Sequence, residues 1–251
     1  GTFTSGTSIA SGLTLASANN QIGTLGPIKA TGIQLTNSQS LALAGLVSVG
    51  SGSIDVNTTS GGVTQASGGT IVAGTFTSGT SIASGLTLAS TNNQIGTLGP
   101  GKATGIQLTN SQSLTLAGLV SVGSGSIDVN TTAGGVTQAS GGTIVAGTFT
   151  SGTSIASGLT LASANNQIGT LGPVKATGIQ LTDSQALTLA GLVSVGSGAI
   201  DVTTTAGGVT QASGVTIVAG TFTSGTSIAS GLTLASANNQ IGTLGPVKAT
   251  G

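Results

Sequence analysis

The chain predicts an all-β fold of the parallel β-helix (β-solenoid) type, on three observations. The first is a 73-residue internal repeat: GTFTSGTSIASGLTLAS begins at Gly1, Gly74, Gly147 and Gly220. The first two copies differ at four positions and the second and third at seven. Self-similarity at a fixed period marks a stacked array, because one unit buries its apolar residues only against the next. The second is a run of apolar–polar–apolar triplets rich in β-branched residues, the period-two signature of strands. The third is scarcity of charge: 3% of residues are charged, against about 25% in ordinary domains. Stacked coils place like side chains over like, where identical charges would repel.

One repeat reads as four lines, each ending on glycine. The first, residues 70–85, is TIVAGTFTSGTSIASG. Its Phe76, with Phe3, Phe149 and Phe222, is expected to fill the core, since an aromatic ring buries much apolar area. The second, residues 86–105, carries NNQIGTLGP. Asn19–Asn20 and their copies suit left-handed turn positions and the stacking of amides between coils. Pro27, Pro100, Pro173 and Pro246 lack a backbone donor and belong at corners. The third, residues 106–125, has three triplets: Ile106–Leu108, Leu114–Leu116 and Val120–Val122. Gly50, Gly52 and their copies Gly123 and Gly125 can supply positive φ at corners. The fourth, residues 126–142, opens on Ser126-Ile127-Asp128-Val129.

Four lines in 73 residues give about 18 residues per coil and four coils per repeat. The chain then holds nearly fourteen coils, about 65 Å of rod at the usual strand spacing. Its divisions are residues 1–73, 74–146, 147–219 and a partial fourth copy, 220–251, in one continuous solenoid. Both ends fall within a repeat, so the sequence is expected to be a window from a longer array. Helix is disfavoured because 45 of the 251 residues are glycine and each costs about 1 kcal/mol in a helix.

Composition narrows the chemistry. There is no His, Cys, Trp, Tyr, Met, Arg or Glu, so no imidazole base, thiolate nucleophile or soft-metal site is available. Neutral net charge gives nucleic acid and anionic membranes no electrostatic purchase. No apolar run reaches the ~18 residues that span a bilayer. Asp55, Asp128 and Asp201 recur once per repeat, about 19 Å apart on a four-coil repeat, too far for paired-carboxylate chemistry. Asp183 stands where the other copies have Asn37 and Asn110. It lies 18 residues from Asp201, hence in an adjacent coil, but in a turn rather than a strand centre. GSGSID at residues 50–55 is a loose echo of calcium-solenoid loops with one carboxylate, and reads as a strand aspartate facing outward. No catalytic residue, cofactor or metal is expected.

The remaining charges are Lys29, Lys102, Lys175 and Lys248, two residues after each proline. They read as solvated corner charges. With Asp55, Asp128 and Asp201 they are also the candidate contacts between neighbouring rods, which salt would weaken. The outward centres of the opening triplets vary as Thr87, Gln107 and Asp128, and Thr115 is Ala42 in the first copy. A uniform threonine ladder of the ice-binding kind is therefore not expected.

NNQIGTLGP (residues 19–27), GIQLTNSQSLTLAG (105–118) and GGVTQASGGTIVAG (134–147) resemble the repeat arrays of large bacterial filamentous-haemagglutinin-like exoproteins. The resemblance covers every repeat. It implies a right-handed β-helix, export by a two-partner or autotransporter route, and an extracellular or cell-surface location. The function implied is a structural fibre or shaft supporting adhesion, aggregation or biofilm. Partners would be other copies of the chain, adjacent repeats, and a host or neighbouring cell surface reached through domains outside this segment. A self-assembling filament and an ice-binding solenoid are the alternatives.

Overall fold

A computed structural model describes residues 1–250. It is a β-solenoid without helix among the described residues, made of parallel strands in about 11 coils of roughly 22 residues. Every strand pairing is parallel, with like position over like. Stacked partners lie 18 residues apart at Thr97 and Thr115 and 24 apart at Val47 and Ile71. The 18-residue coil is therefore too short, and fourteen coils too many. At about 4.8 Å per coil the rod is about 53 Å long.

Each coil contributes one strand to each of two sheets. Sheet one has 14 strands and sheet two has 16. Short extra strands such as Ile28–Lys29 and Leu46–Ser48 join sheet two beside its main column. The cross-section thus has two dominant faces.

The path of one repeat explains the miscount. From Thr24–Leu25 in sheet one, the chain passes to Ile33–Asn37 in sheet two and Leu41–Leu43 in sheet one. It continues to Ser53–Thr58 in sheet two, Val63–Gln65 in sheet one, Thr70–Thr77 in sheet two and Gly85–Leu88 in sheet one. It then reaches Gln94–Leu98 in sheet two, where Thr97–Leu98 repeat Thr24–Leu25. That is seven half-coils, so a repeat is 3.5 coils. Because both faces accept the same strands, stacking needs a whole number of half-coils rather than of coils. Consecutive repeats therefore change sides: Thr70–Thr77 and Thr216–Thr223 lie in sheet two, and Thr143–Thr150 in sheet one.

The core is one aliphatic column. Leu35, Ile54, Phe76, Leu88, Ile95 and Leu108 are almost wholly shielded from solvent, while copies in the first and last coils such as Leu15, Ile22, Leu234 and Ile241 are partly buried. Phe76, Phe149 and Phe222 are fully buried, as their expected role requires, while Phe3 in the first coil is half-buried. Alternation within the strands sets this inside–outside division: Ile106 and Leu108 point in, Gln107 out.

Corners depend on glycine in two ways. Gly50, Gly123 and Gly196 have φ of 58–59°, in the left-handed region. Gly52, expected to do the same, does not. It is required for space, because a Cβ there would overlap the carbonyl oxygen of Thr31 in the coil below. Gly74 meets Ser51 in the same way.

The asparagine pairs correct a second expectation. No described non-glycine residue has positive φ, so these pairs do not occupy left-handed turns. The first member stays within its own turn, which Ser90 caps: Ser90 Oγ accepts from the backbone N–H of Asn92 at 3.3 Å. The second is buried and ties neighbouring coils together. Asn93 Nδ2 donates to the carbonyls of Leu88 and Thr109 at 3.2 and 3.1 Å and to Gln65 Oε1 at 3.0 Å. Its Oδ1 accepts from Ile71 N–H at 3.0 Å and Gln65 Nε2 at 2.7 Å. One side chain satisfies groups in three coils, in place of an amide ladder of Asn over Asn.

Candidate functional surface

The outward side chains form ladders set by the coil register. On sheet two, Thr75, Thr97, Thr115, Thr137 and Thr160 stack in five successive coils. On sheet one, Thr148, Thr170, Thr188, Thr210 and Thr233 repeat the arrangement. Each ladder is about 19 Å long. The column of Thr87, Gln107 and Asp128 does vary as expected, yet uninterrupted threonine ladders exist. Sequence reading missed them because an 18-residue coil misaligns residues separated by 22 or 23. The outward threonines of TFT, GTL, LTL and VTQ were the available signal.

The ladders are flanked by small side chains. Two positions beyond Thr97, Thr115, Thr137 and Thr160 stand Gly99, Ala117, Ala139 and Ala162. Two positions before Thr115, Thr137 and Thr160 stand Ser113, Gly135 and Gly158. The face is therefore low, uncharged and regular, alternating hydroxyl and methyl groups. The sheet-two ladder ends in a glutamine and an aspartate: Thr160 is followed by Gln180 and Asp201. A shallow groove of about 320 Å³ lies there, floored by Gly158, Gly178 and Ala199. Its counterpart beside Gln34 and Asp55 measures about 280 Å³.

The recurring aspartates face outward, as expected, and are half-buried. Each holds a loop of its own rod. Asp55 Oδ1 accepts from Gly79 N–H at 2.8 Å and from Asn57 Nδ2 at 3.0 Å. Asp128 does the same with Gly152 and Asn130. Asp201 keeps the bond from Gly225 but lacks the amide, since Thr203 replaces asparagine. Asp55 and Asp128 are 3.5 coils apart, about 17 Å along the axis, and in opposite sheets. Lys29, Lys102 and Lys175 also alternate sides and are exposed, but each ends a short paired strand rather than sitting in a corner; Lys248 in the last coil is exposed too.

Asp183 is fully buried. Its neutral counterparts show what the position needs. Asn37 Oδ1 accepts from Ile22 N–H at 2.9 Å, while Nδ2 donates to the carbonyls of Ile22 and Gln39, both at 2.9 Å. Asp183 Oδ1 keeps the first bond, from Ile168 N–H at 2.9 Å. Its Oδ2 stands where a donor belongs and has no partner. Burial pushes its pKa up to about 6, against the opposing pull of backbone donors at Ile168, Gln185 and Ser184. Asp183 and Asp201 sit in adjacent coils, but one points into the core and the other outward.

Residues 176–247 match the family described as Repeats of unknown function (DUF5649). The matched stretch is one residue short of a full repeat period. Comparison with curated proteins and with solved structures gives no match. Together with the coil architecture, the match makes this a repeat-containing β-helical protein.

Proposed function

We propose that the chain is a segment of an extracellular shaft or fibre of a large bacterial surface protein of the filamentous-haemagglutinin-like kind. The observation that carries this reading is one aliphatic column, flanked by two parallel ladders, running through successive near-identical repeats. Such a body resists bending because each coil is fixed to the next by backbone hydrogen bonds and packed side chains. It also grows by simple addition: each 73-residue repeat lengthens it by about 17 Å without a new fold. A spacer needs those two properties. Adhesion or aggregation would then fall to domains beyond the rod, or to its sides. The resemblance of NNQIGTLGP and GGVTQASGGTIVAG to exported arrays supports a surface location.

The test is electron microscopy of the native protein on its cells, comparing the natural array with one lacking two repeats. The expected result is thin surface rods shortened by about 34 Å. Globular particles, or rods found only inside the cell, would overturn the reading.

A further inference from the structure

We infer that the two threonine-ladder faces are docking surfaces for a second copy of this chain, so that rods associate side by side into rafts. This concerns the flanks of the rod and holds wherever the rod is displayed.

The first ground is commensurability. A flat row of threonines with one residue per coil matches, step for step, only a surface with the same axial spacing. Another copy of this solenoid has that spacing by construction. Rows of small identical side chains at strand spacing interdigitate into dry interfaces between sheets. Gly99, Ala117 and Ala139 beside the ladder leave room for a partner sheet to approach closely.

The second ground is charge. The ladder face between Thr75 and Thr160 carries no ionisable residue in its central column. The whole chain carries four lysines against four aspartates. Net charge is what holds like surfaces apart, and here there is none.

The third ground is area. A whole side about 53 Å long, of which one ladder covers about 19 Å, and three to five residues wide, about 10–16 Å, offers on the order of 500–850 Å². A stable interface takes about 800 Å² per partner, so a rod of this length lies at or below that size and a longer array, with more ladders on each side, exceeds it.

The half-coil repeat decides the outcome of association. A ladder confined to one side would pair two rods and stop. Here the ladder of one repeat lies in sheet two and that of the next in sheet one, so every rod has two adhesive sides. Association through both is open-ended and gives rafts rather than pairs.

The experiment uses the 251-residue chain, imaged by cryo-electron microscopy and sized by light scattering. The wild type is expected to form rafts several rods wide. T97K/T137K, which charges only sheet two, should give pairs. T24K/T64K/T97K/T137K/T170K/T210K, which charges both sides, should give single rods. Far-UV circular dichroism confirms folding, and T97Q/T137Q serves if lysine is not tolerated, since Gln107 and Gln180 already occupy ladder positions. End-to-end stacking lengthens rods without widening them and is read separately. Single wild-type rods at all concentrations would overturn the inference, as would broad rafts from T97K/T137K. Rafts dispersed by salt would overturn it in favour of Lys–Asp contacts. Single rods that produce thermal hysteresis would assign the ladders to ice instead.

Discussion

Phe76 and Phe149 occupy the same place in consecutive repeats, both fully buried, yet they belong to opposite sheets. Phe76 sits between Ile54 and Leu98 in sheet two, and Phe149 between Ile127 and Leu171 in sheet one. The environments match because the solenoid has two interchangeable faces. Every other repeated residue obeys the same rule, and this alternation gives the rod two like sides.

Asp183→Asn should stabilise the rod at neutral pH. The folded pKa, about 6, lies above the ordinary value of 3.8. Folding therefore favours the protonated acid, whose contribution is complete below about pH 4 and is lost as pH rises through 6. The gain from asparagine should be small at pH 4 and reach on the order of 2–3 kcal/mol above pH 7. Denaturant melts of both proteins across that range check it. A gain independent of pH would show that the carboxylate does not titrate there.

Gly101→Val should also stabilise. The position is Ile28 and Val174 in the neighbouring repeats, both buried. At Gly101 a small cavity remains among Phe76, Ile82, Leu98 and Ile106. A Cβ there meets only Ser78 Oγ closely, at 3.2 Å, and in the next repeat Val174 coexists with the equivalent serine, Ser151, whose Oγ still accepts from Lys175 N–H. Filling the space should add about 1 kcal/mol, read as a higher denaturant midpoint. A lower midpoint would mean that the corner has closed around the glycine.

Asn93→Ala should destabilise by about 2–3 kcal/mol, well beyond an ordinary surface change. It strands Ile71 N–H and the Gln65 amide and removes the donor to two carbonyls, all in a buried corner. Hydrogen exchange should accelerate at Ile71 and in the coils on either side. Exchange that changes only within the turn at residues 90–93 would deny it the cross-coil role.

The strands were legible because alternation is local: Leu114-Thr115-Leu116 states its own inside and outside. The buried phenylalanines were legible too, since no other place suits them. Register was harder. Whether Thr97 lies under Thr115 depends on the total length of two intervening half-coils, one of them closing on a glycine corner that must be tight. The near-identity of the repeats suggested a whole number of coils, and nothing local distinguishes whole from half when both faces accept the same strand. The threonine ladders were lost with the register. Asp183 could be seen as an exception to Asn37 and Asn110, but its burial could not, because the position reads as a surface turn in sequence and is instead the last residue of the strand Gly178–Asp183, paired with Thr204.

Helical reconstruction of a long array of these repeats tests the alternation directly. Each 73-residue unit should rise about 17 Å and turn by about half a revolution, restoring the same side every 34 Å or so. A rise near 19 Å with the same side presented at every repeat would restore the four-coil unit and remove the two-sided rod.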